Sequence, residues 1–354
     1  MQLDEDIIRK TIEDYLEVEV VSNGNSPYLL TFRVLGLRGY DSLSETFTRL
    51  YKSLSKQGYV AMIKRDYGEL TLNVSKRESK TKKGMAIGLA VTTLVMVYVS
   101  GFAFAKAQSF LSLEPLLYLV GLIVPLIIHE MGHWITMKKY GIPASLPYLI
   151  PAPPLQLGFL GTFGAVINME WIPPNNDVLA LTGIMGPLFG FIATIPVAAI
   201  GLKLSSLVPI ASVPPGSSIN LIPIVLNLLT YIEKIPSGYA IQPSAMMFAS
   251  YIVFFITFLN LIPISQLDGG HVIRAALGEK AHYIVSGLFV AILIIYGFYY
   301  PVFILFGLLA LFIFLLTKGK HPGTATNGNR LGRKGLLAII LYCVLLILTL
   351  PLPS

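Results

Sequence analysis

Pro125-Leu-Ile-Ile-His129-Glu130-Met-Gly-His133-Trp-Ile135 is the stretch on which the reading of this chain turns. On a helix, histidines four residues apart share one face, as two ligands of a single zinc must. Glu130, between them, is placed to act on water at that metal. The surrounding residues are apolar enough to cross a bilayer. A charged side chain at the bilayer centre costs about 2.5–3.5 kcal/mol on insertion scales, so ionisable groups at that depth point to chemistry. The pattern therefore implies metal-assisted hydrolysis inside a membrane.

Composition supports the membrane half of that reading. Hydrophobic residues make up 54% of the 354 residues and charged ones only 13%, whereas a soluble domain carries about 25% charged residues. The single cysteine, Cys343, excludes an intrachain disulfide framework and a multi-cysteine zinc site, which leaves His, Asp and Glu as ligands. The net charge of +7 does not indicate nucleic acid, because the basic residues gather beside apolar segments.

Only residues 1–75 have ordinary soluble composition, and they are expected to form a small α/β domain. Asp4-Glu-Asp6 ahead of Ile7, Ile8, Ile12 and Leu16 predicts a helix; Tyr28–Leu35 reads as a strand and Leu43–Lys56 as a second helix. Tyr59–Lys64 and Glu69–Val74 read as a hairpin around Asp66-Tyr-Gly68. This part shows no catalytic or metal cluster and reads as a recruiting or regulatory platform. Residues 76–84 form a basic linker, 85–317 the membrane core, 318–334 a basic loop and 335–354 a last membrane helix. The expected fold is a polytopic α-helical membrane protein with about seven transmembrane helices and a re-entrant β-hairpin.

The helices are placed near 85–105, 115–137, 178–201, 245–263, 281–299, 301–317 and 335–351, with Tyr299-Tyr300-Pro301 breaking one long run. Orientation follows from the connections. Fourteen Lys and Arg lie in 76–83, 138–139, 274–280 and 318–334, against Lys106, Lys203 and Lys234 on the other side. The basic side, with the N-terminal domain, is expected to be cytoplasmic, and the cell membrane is the expected location. Residues 217–235, short and interrupted by Pro223, read as an interfacial helix.

A zinc held by two histidines needs a third protein ligand and an open position. Asp268, in Asn260-Leu-Ile-Pro263-Ile-Ser-Gln-Leu-Asp268-Gly-Gly-His271, is the acid with a suggestive context. At about 1.5 Å per residue, His133 and His129 lie roughly 7 and 13 Å inside the cytoplasmic end of their helix. The helix before Asp268 runs to the same side, and Pro263 with Gly269-Gly270 can turn the carboxylate back toward them. Taken alone Asp268 reads as an interfacial cap; beside H-E-x-x-H it reads as a ligand.

His129-Glu130-Met-Gly-His133 together with Asn260-x-x-Pro263-x-x-x-Leu267-Asp268-Gly-Gly resembles the site-2 protease family of intramembrane zinc metalloproteases. The similarity covers roughly 115–275 and includes Gly158–Ala165 and Gly186-Pro187-Leu-Phe-Gly190. The resemblance implies one zinc per chain on His129, His133 and Asp268, Glu130 as catalytic acid and base, and Asn260 near the site. It implies substrates that are themselves transmembrane helices, cut in regulated intramembrane proteolysis. With no insertion of PDZ size, the chain is similar to the PDZ-less type.

Other residues leave alternatives. Asn260 either helps hold the reacting carbonyl oxygen or bonds a neighbouring helix. His271 reads as either a support for Asp268 or a bystander, and His282 and His321 are expected to be solvated. Gly183, Gly186 and Gly190 read as close helix packing, with a kink at Pro187. Pro151–Asn168 is neither membrane helix nor polar loop. Its Leu155, Gly158, Gly161, Thr162, Phe163, Gly164 and Val166 read as a strand offering hydrogen bonds to an unwound substrate, the alternative being a plain re-entrant connector. The competing function classes are a membrane transporter or metal channel, and an idle relative that only binds membrane helices. A transporter would need a ladder of further intramembrane polar residues, and an idle relative would not need Glu130. Besides substrates, membrane lipid is an expected partner and nucleic acid is not; the oligomeric state stays open.

Overall fold

The structure, a computed structural model, describes residues 2–353 apart from 24–28, 40–41, 67, 78–82, 107–108, 110, 215–220 and 327–329. The N-terminal part folds as α1 (Gln2–Glu13), β1 (Leu16–Asn23), β2 (Leu30–Leu37), α2 (Leu43–Lys56), β3 (Tyr59–Asp66) and β4 (Glu69–Lys76). Its strands make one antiparallel sheet in the order β1-β2-β4-β3. In α2 the side chain of Ser42 caps the first turn, accepting from the Glu45 amide at 3.3 Å. Phe47, Leu50, Tyr51 and Leu54 recur three and four residues apart and are all buried, each burial worth about 1.5–3 kcal/mol for a side chain of this size. Strand β1 is absent from the sequence reading, although Leu16-Glu-Val18-Glu-Val20 alternates as a half-buried strand should.

The rest of the chain runs α3 (Lys83–Phe104), α4 (Leu113–Tyr140), β5 (Tyr148–Pro151), β6 (Thr162–Val166), α5 (Asn176–Leu204), β7 (Ser206–Pro209), β8 (Leu221–Pro223), α6 (Ile224–Ile232), β9 (Tyr239–Gln242), α7 (Ala245–Leu261), α8 (Asp268–Gly297), α9 (Pro301–Leu316), α10 (Arg333–Thr349) and β10 (Pro351–Pro353). Four helices are long and apolar enough to cross a membrane: α3, α4, α5 and α8, with 22, 28, 29 and 30 residues. Helix α7 and most of α9 are apolar but shorter. Helix α5 is the hub, packed by α4, α7, α8 and α10. With nine residues, α6 extends only about 13 Å, far short of a bilayer core of about 30 Å.

Two expectations about this region change. The helix expected at 281–299 begins at Asp268, so Asp268 opens α8 and does not trail the helix before it. A break at Gly278, with φ 80° and ψ −176°, divides α8 into two parts. The basic linker is also shorter than expected: Lys76 ends β4, Lys83 begins α3, and 78–82 lie outside the described residues.

The N-terminal domain does not stand apart as a free platform. Its core of Ile8, Phe32, Phe47 and Leu72 is continuous with Met137 of α4, Ile142, Val178 of α5 and Ala325. Ala325 is fully buried, and its carbonyl accepts from the Ile63 amide of edge strand β3 at 2.8 Å. The end of α4, the start of α5 and the segment between α9 and α10 therefore meet at one end of the bundle. At the opposite end the Ser244 hydroxyl donates to the Gly201 carbonyl, and β7 pairs with β9. In a Cys343→Ser background, single cysteines at 139 and 320 should react with an impermeant label from the same side of a vesicle and a cysteine at 238 from the other; 139 and 320 labelling from different sides would break this arrangement.

Candidate metal centre

His129 and His133 sit one turn apart on the buried face of α4 and are 5% and 8% exposed. A turn at 262–267 returns the chain so that Asp268 meets them from the first turn of α8. That turn depends on glycine: a Cβ at Gly269 would strike the Leu261 carbonyl and one at Gly270 the Ser265 carbonyl. The three side chains converge. His129 Nε2 lies 3.1 Å from His133 Nε2 and 3.2 Å from Asp268 Oδ2, and His133 Nε2 lies 3.3 Å from Asp268 Oδ1.

This spacing fits a metal. Ligand atoms about 2.0–2.1 Å from a tetrahedral zinc stand roughly 3.3 Å from one another. The tautomer fits as well. His133 Nδ1–H donates to the Thr182 carbonyl at 2.7 Å, which leaves the Nε2 lone pair free to bind. Glu130 is 7% exposed, and one ligand-type atom each from His129, Glu130 and His133 lies within 4.8 Å of the others. Strand β6 packs against α4, the helix that carries Glu130.

Helix α5 forms the floor of this site. A Cβ on Gly186 would collide with the His133 ring, and one on Gly190 would come within 2.9 Å of His129 Cβ. At Gly183 it would lie 2.6 Å from the Asp268 carbonyl. The spacing of these glycines was readable as helix packing, but what they pack against is the metal-site residues: the His133 and His129 side chains for Gly186 and Gly190, and the Asp268 backbone for Gly183. Gly132 of α4 completes the fit, since a Cβ there would meet the Met185 carbonyl. The Thr182 carbonyl is invisible to sequence reasoning, because a backbone acceptor leaves no residue-type signal.

The other candidate residues lie on α7 and on the hairpin. Asn260, in the last turn of α7, is half-buried and has no hydrogen-bond partner among the described residues. Thr162, Phe163, Gly164 and Val166 lie on β6, paired antiparallel with β5. Leu155, Gly158 and Gly161 do not belong to that strand; they form the hairpin's tip, where Leu155–Leu157 is a 3-10 turn. Gly161, with φ 85°, packs against the Met96 carbonyl of α3, leaving no room for a Cβ. Phe163 and Val166 of β6 are 63% and 53% exposed.

The expectation that His282 and His321 are solvated is overturned: they are 1% and 6% exposed. The segment after α9 folds down onto α8, and His321 Nε2–H donates to His271 Nδ1 at 2.6 Å while its Nδ1 accepts from the Gly323 amide at 2.9 Å. His282 donates to the Ser265 carbonyl at 3.0 Å. Burial, with His271 and His282 close by, pushes the His321 imidazole far below the usual histidine range, so it remains neutral. These three histidines hold the turn before Asp268 and the start of α8. Gly186→Ala should displace the His133 ring and lower zinc content about tenfold or more, the scale set by disturbing a ligand's support. Gly190→Ala should lower it less; metal analysis of the purified variants measures both, and full occupancy in Gly186→Ala would contradict the packing.

The model of peptidase family M50 matches residues 117–304, more than half of the chain. Among curated proteins, the probable chloroplastic zinc metalloprotease EGY1 of Arabidopsis thaliana is 27% identical over 179 residues, covering 47% of this chain and 30% of EGY1. The zinc metalloprotease MJ0392 of Methanocaldococcus jannaschii is 28% identical over 204 residues, covering 57% of this chain and 46% of MJ0392. The chain thus spans less than half the length of these relatives. No solved structure matches. By the match over 117–304, in which His129, Glu130, His133 and Asp268 all lie, the chain belongs to peptidase family M50, the site-2 protease family.

Proposed function

We propose that His129, His133 and Asp268 hold the zinc and that Glu130 is the general base and acid in hydrolysis of peptide bonds within transmembrane helices. The observation that carries this is the convergence of three ligand atoms from two helices at 3.1–3.3 Å. When bound, the zinc activates water and polarises the scissile carbonyl. Glu130 takes the proton of the attacking water and delivers it to the departing amide nitrogen. Thr182 keeps the His133 proton on Nδ1, so Nε2 stays a ligand throughout.

The same reading makes seven membrane passes of α3, α4, α5, α7, α8, α9 and α10, with α6 at the surface opposite the N-terminal domain. The basic bias supports a cytoplasmic N-terminal domain, and impermeant labelling of position 139 from the outside would reverse it. A substrate helix hides its amides in internal hydrogen bonds, and each one freed in hydrocarbon costs several kcal/mol without a partner. We assign the replacement partners to the hairpin, re-entrant in the bilayer, whose β6 pairs only with β5 among the described residues. The exposed Phe163 and Val166 are its contact side chains. Cleavage of such helices in regulated proteolysis is the cellular role this supports.

Purified protein should hold about one zinc per chain. His129→Ala, His133→Ala and Asp268→Ala should lose metal and activity together, whereas Glu130→Gln should keep the metal and lose activity by about 100-fold or more. Metal retained in Asp268→Ala would remove it from the ligand set. Phe163→Pro or Val166→Pro should slow cleavage of a membrane-helix reporter at unchanged zinc content, because proline removes an amide donor. Equal rates on the reporter would refute the strand assignment.

A further inference from the structure

Beyond β5 and β6 the hairpin does not end. Its two legs continue as an antiparallel ribbon out of the membrane: Ala144 bridges Met169, the Ser145 amide donates to the Asn168 carbonyl at 2.9 Å, and the Glu170 amide donates to the Pro143 carbonyl at 2.9 Å. The foot of this ribbon is held by the N-terminal domain at three consecutive residues. Arg77 grips Glu170 Oε2 with Nε at 3.2 Å and Nη2 at 2.9 Å. The Trp171 indole donates to the Ala61 carbonyl of β3 at 3.2 Å. The Tyr51 hydroxyl donates to the Ile172 carbonyl at 3.0 Å, and burial pushes its pKa well above the usual tyrosine range, so it stays a donor.

Such a grip exceeds what a tethered domain needs. The Glu170 side chain is only 5% exposed and the Arg77 side chain 32%, so the pair is shielded from the solvent that weakens surface ion pairs. Four residues above Glu170, Val166 is the exposed end of β6, the strand packed against α4. A shift at the foot is carried along the hydrogen-bonded ribbon to β6. The offset of one residue in a strand turns every side chain to the opposite face.

We propose that the N-terminal domain is a clamp that fixes the height and register of the substrate-pairing strand, with Arg77 and Glu170 as positioning residues. This rests on the reading of the hairpin as the substrate strand. A substrate helix must be unwound onto that strand, and a short peptide that is already unfolded needs it far less. The clamp therefore acts on KM for helical substrates and leaves the hydrolytic step alone.

The test uses the full chain in detergent micelles, with a membrane-helix reporter and a short unfolded peptide spanning the same cleavage site. Arg77→Glu and Glu170→Arg should each raise KM for the reporter about tenfold, while zinc content and peptide turnover remain at the level of the unaltered protein. The double exchange should recover most of the loss, since it restores the pair in reverse. Should either single variant fail to accumulate, Trp171→Phe combined with Tyr51→Phe removes two of the hydrogen bonds without reversing a charge and should raise the same KM. Unaltered reporter KM in these variants, equal losses on both substrates, or no recovery in the exchange would overturn the clamp. Phe163→Pro separates the two readings: if it slows the reporter while the Arg77 and Glu170 variants do not, the clamp alone fails, and if it too has no effect, the hairpin assignment fails with it.

Discussion

The contact that everything else depends on is the close approach of α4 to α5, with α5 offering no side chain where it faces the two imidazoles. Gly132 lies on the Met185 carbonyl, and Gly186 and Gly190 lie under the two imidazoles. In hydrocarbon, helices associate through packing and hydrogen bonds because burial of apolar surface offers little, so small residues at the seam decide how close they come. Closeness has a chemical result here: it brings the Thr182 carbonyl within 2.7 Å of His133 Nδ1. Pro187 follows directly after Gly186 and donates no amide to the turn of α5 behind it.

Much of this was legible in the sequence because its signals are local. The H-E-x-x-H spacing on an apolar run marks two ligands and an acid, and the length of apolar runs locates the helices within a few residues of α3, α4, α5, α9 and α10. Asp268 was found by context, but its place was misjudged. Gly269-Gly270 read as a place where the backbone can open, yet they start a helix, because only glycine permits the first turn of α8 to lie against the carbonyls of Leu261 and Ser265. His282 and His321 misled for a different reason. Beside Lys280 and Lys320 each looks solvated, and only the fold of 317–326 onto α8 buries them. Contacts made by distant backbone carry no residue-type signature.

The seating of the N-terminal domain was the least legible part. Its composition is that of a separate soluble unit, and nothing in residues 1–75 announces that its core is completed by Met137, Ile142, Val178 and Ala325. Those four side chains come from the segments that carry or flank His133, the hairpin, α5 and the stretch running to His321. A hydrophobic residue at a helix end looks like an ordinary membrane boundary when read alone. Its neighbour in space, far away in the chain, is what makes it core.

The break at Gly278 has a mechanical consequence for the metal. Residues 268–277 form a short arm, about 15 Å long, whose first residue supplies the carboxylate, and the remaining part of α8 lies in the apolar bundle. Helices in bilayers of different thickness meet the mismatch by tilting. The long part nevertheless stays tied to the turn ahead of that arm, because His282 donates to the Ser265 carbonyl at 3.0 Å and Ser286 to the Pro263 carbonyl at 3.2 Å. A change in its tilt therefore pulls on the turn that leads into Asp268, which couples the carboxylate to the thickness of the surrounding lipid.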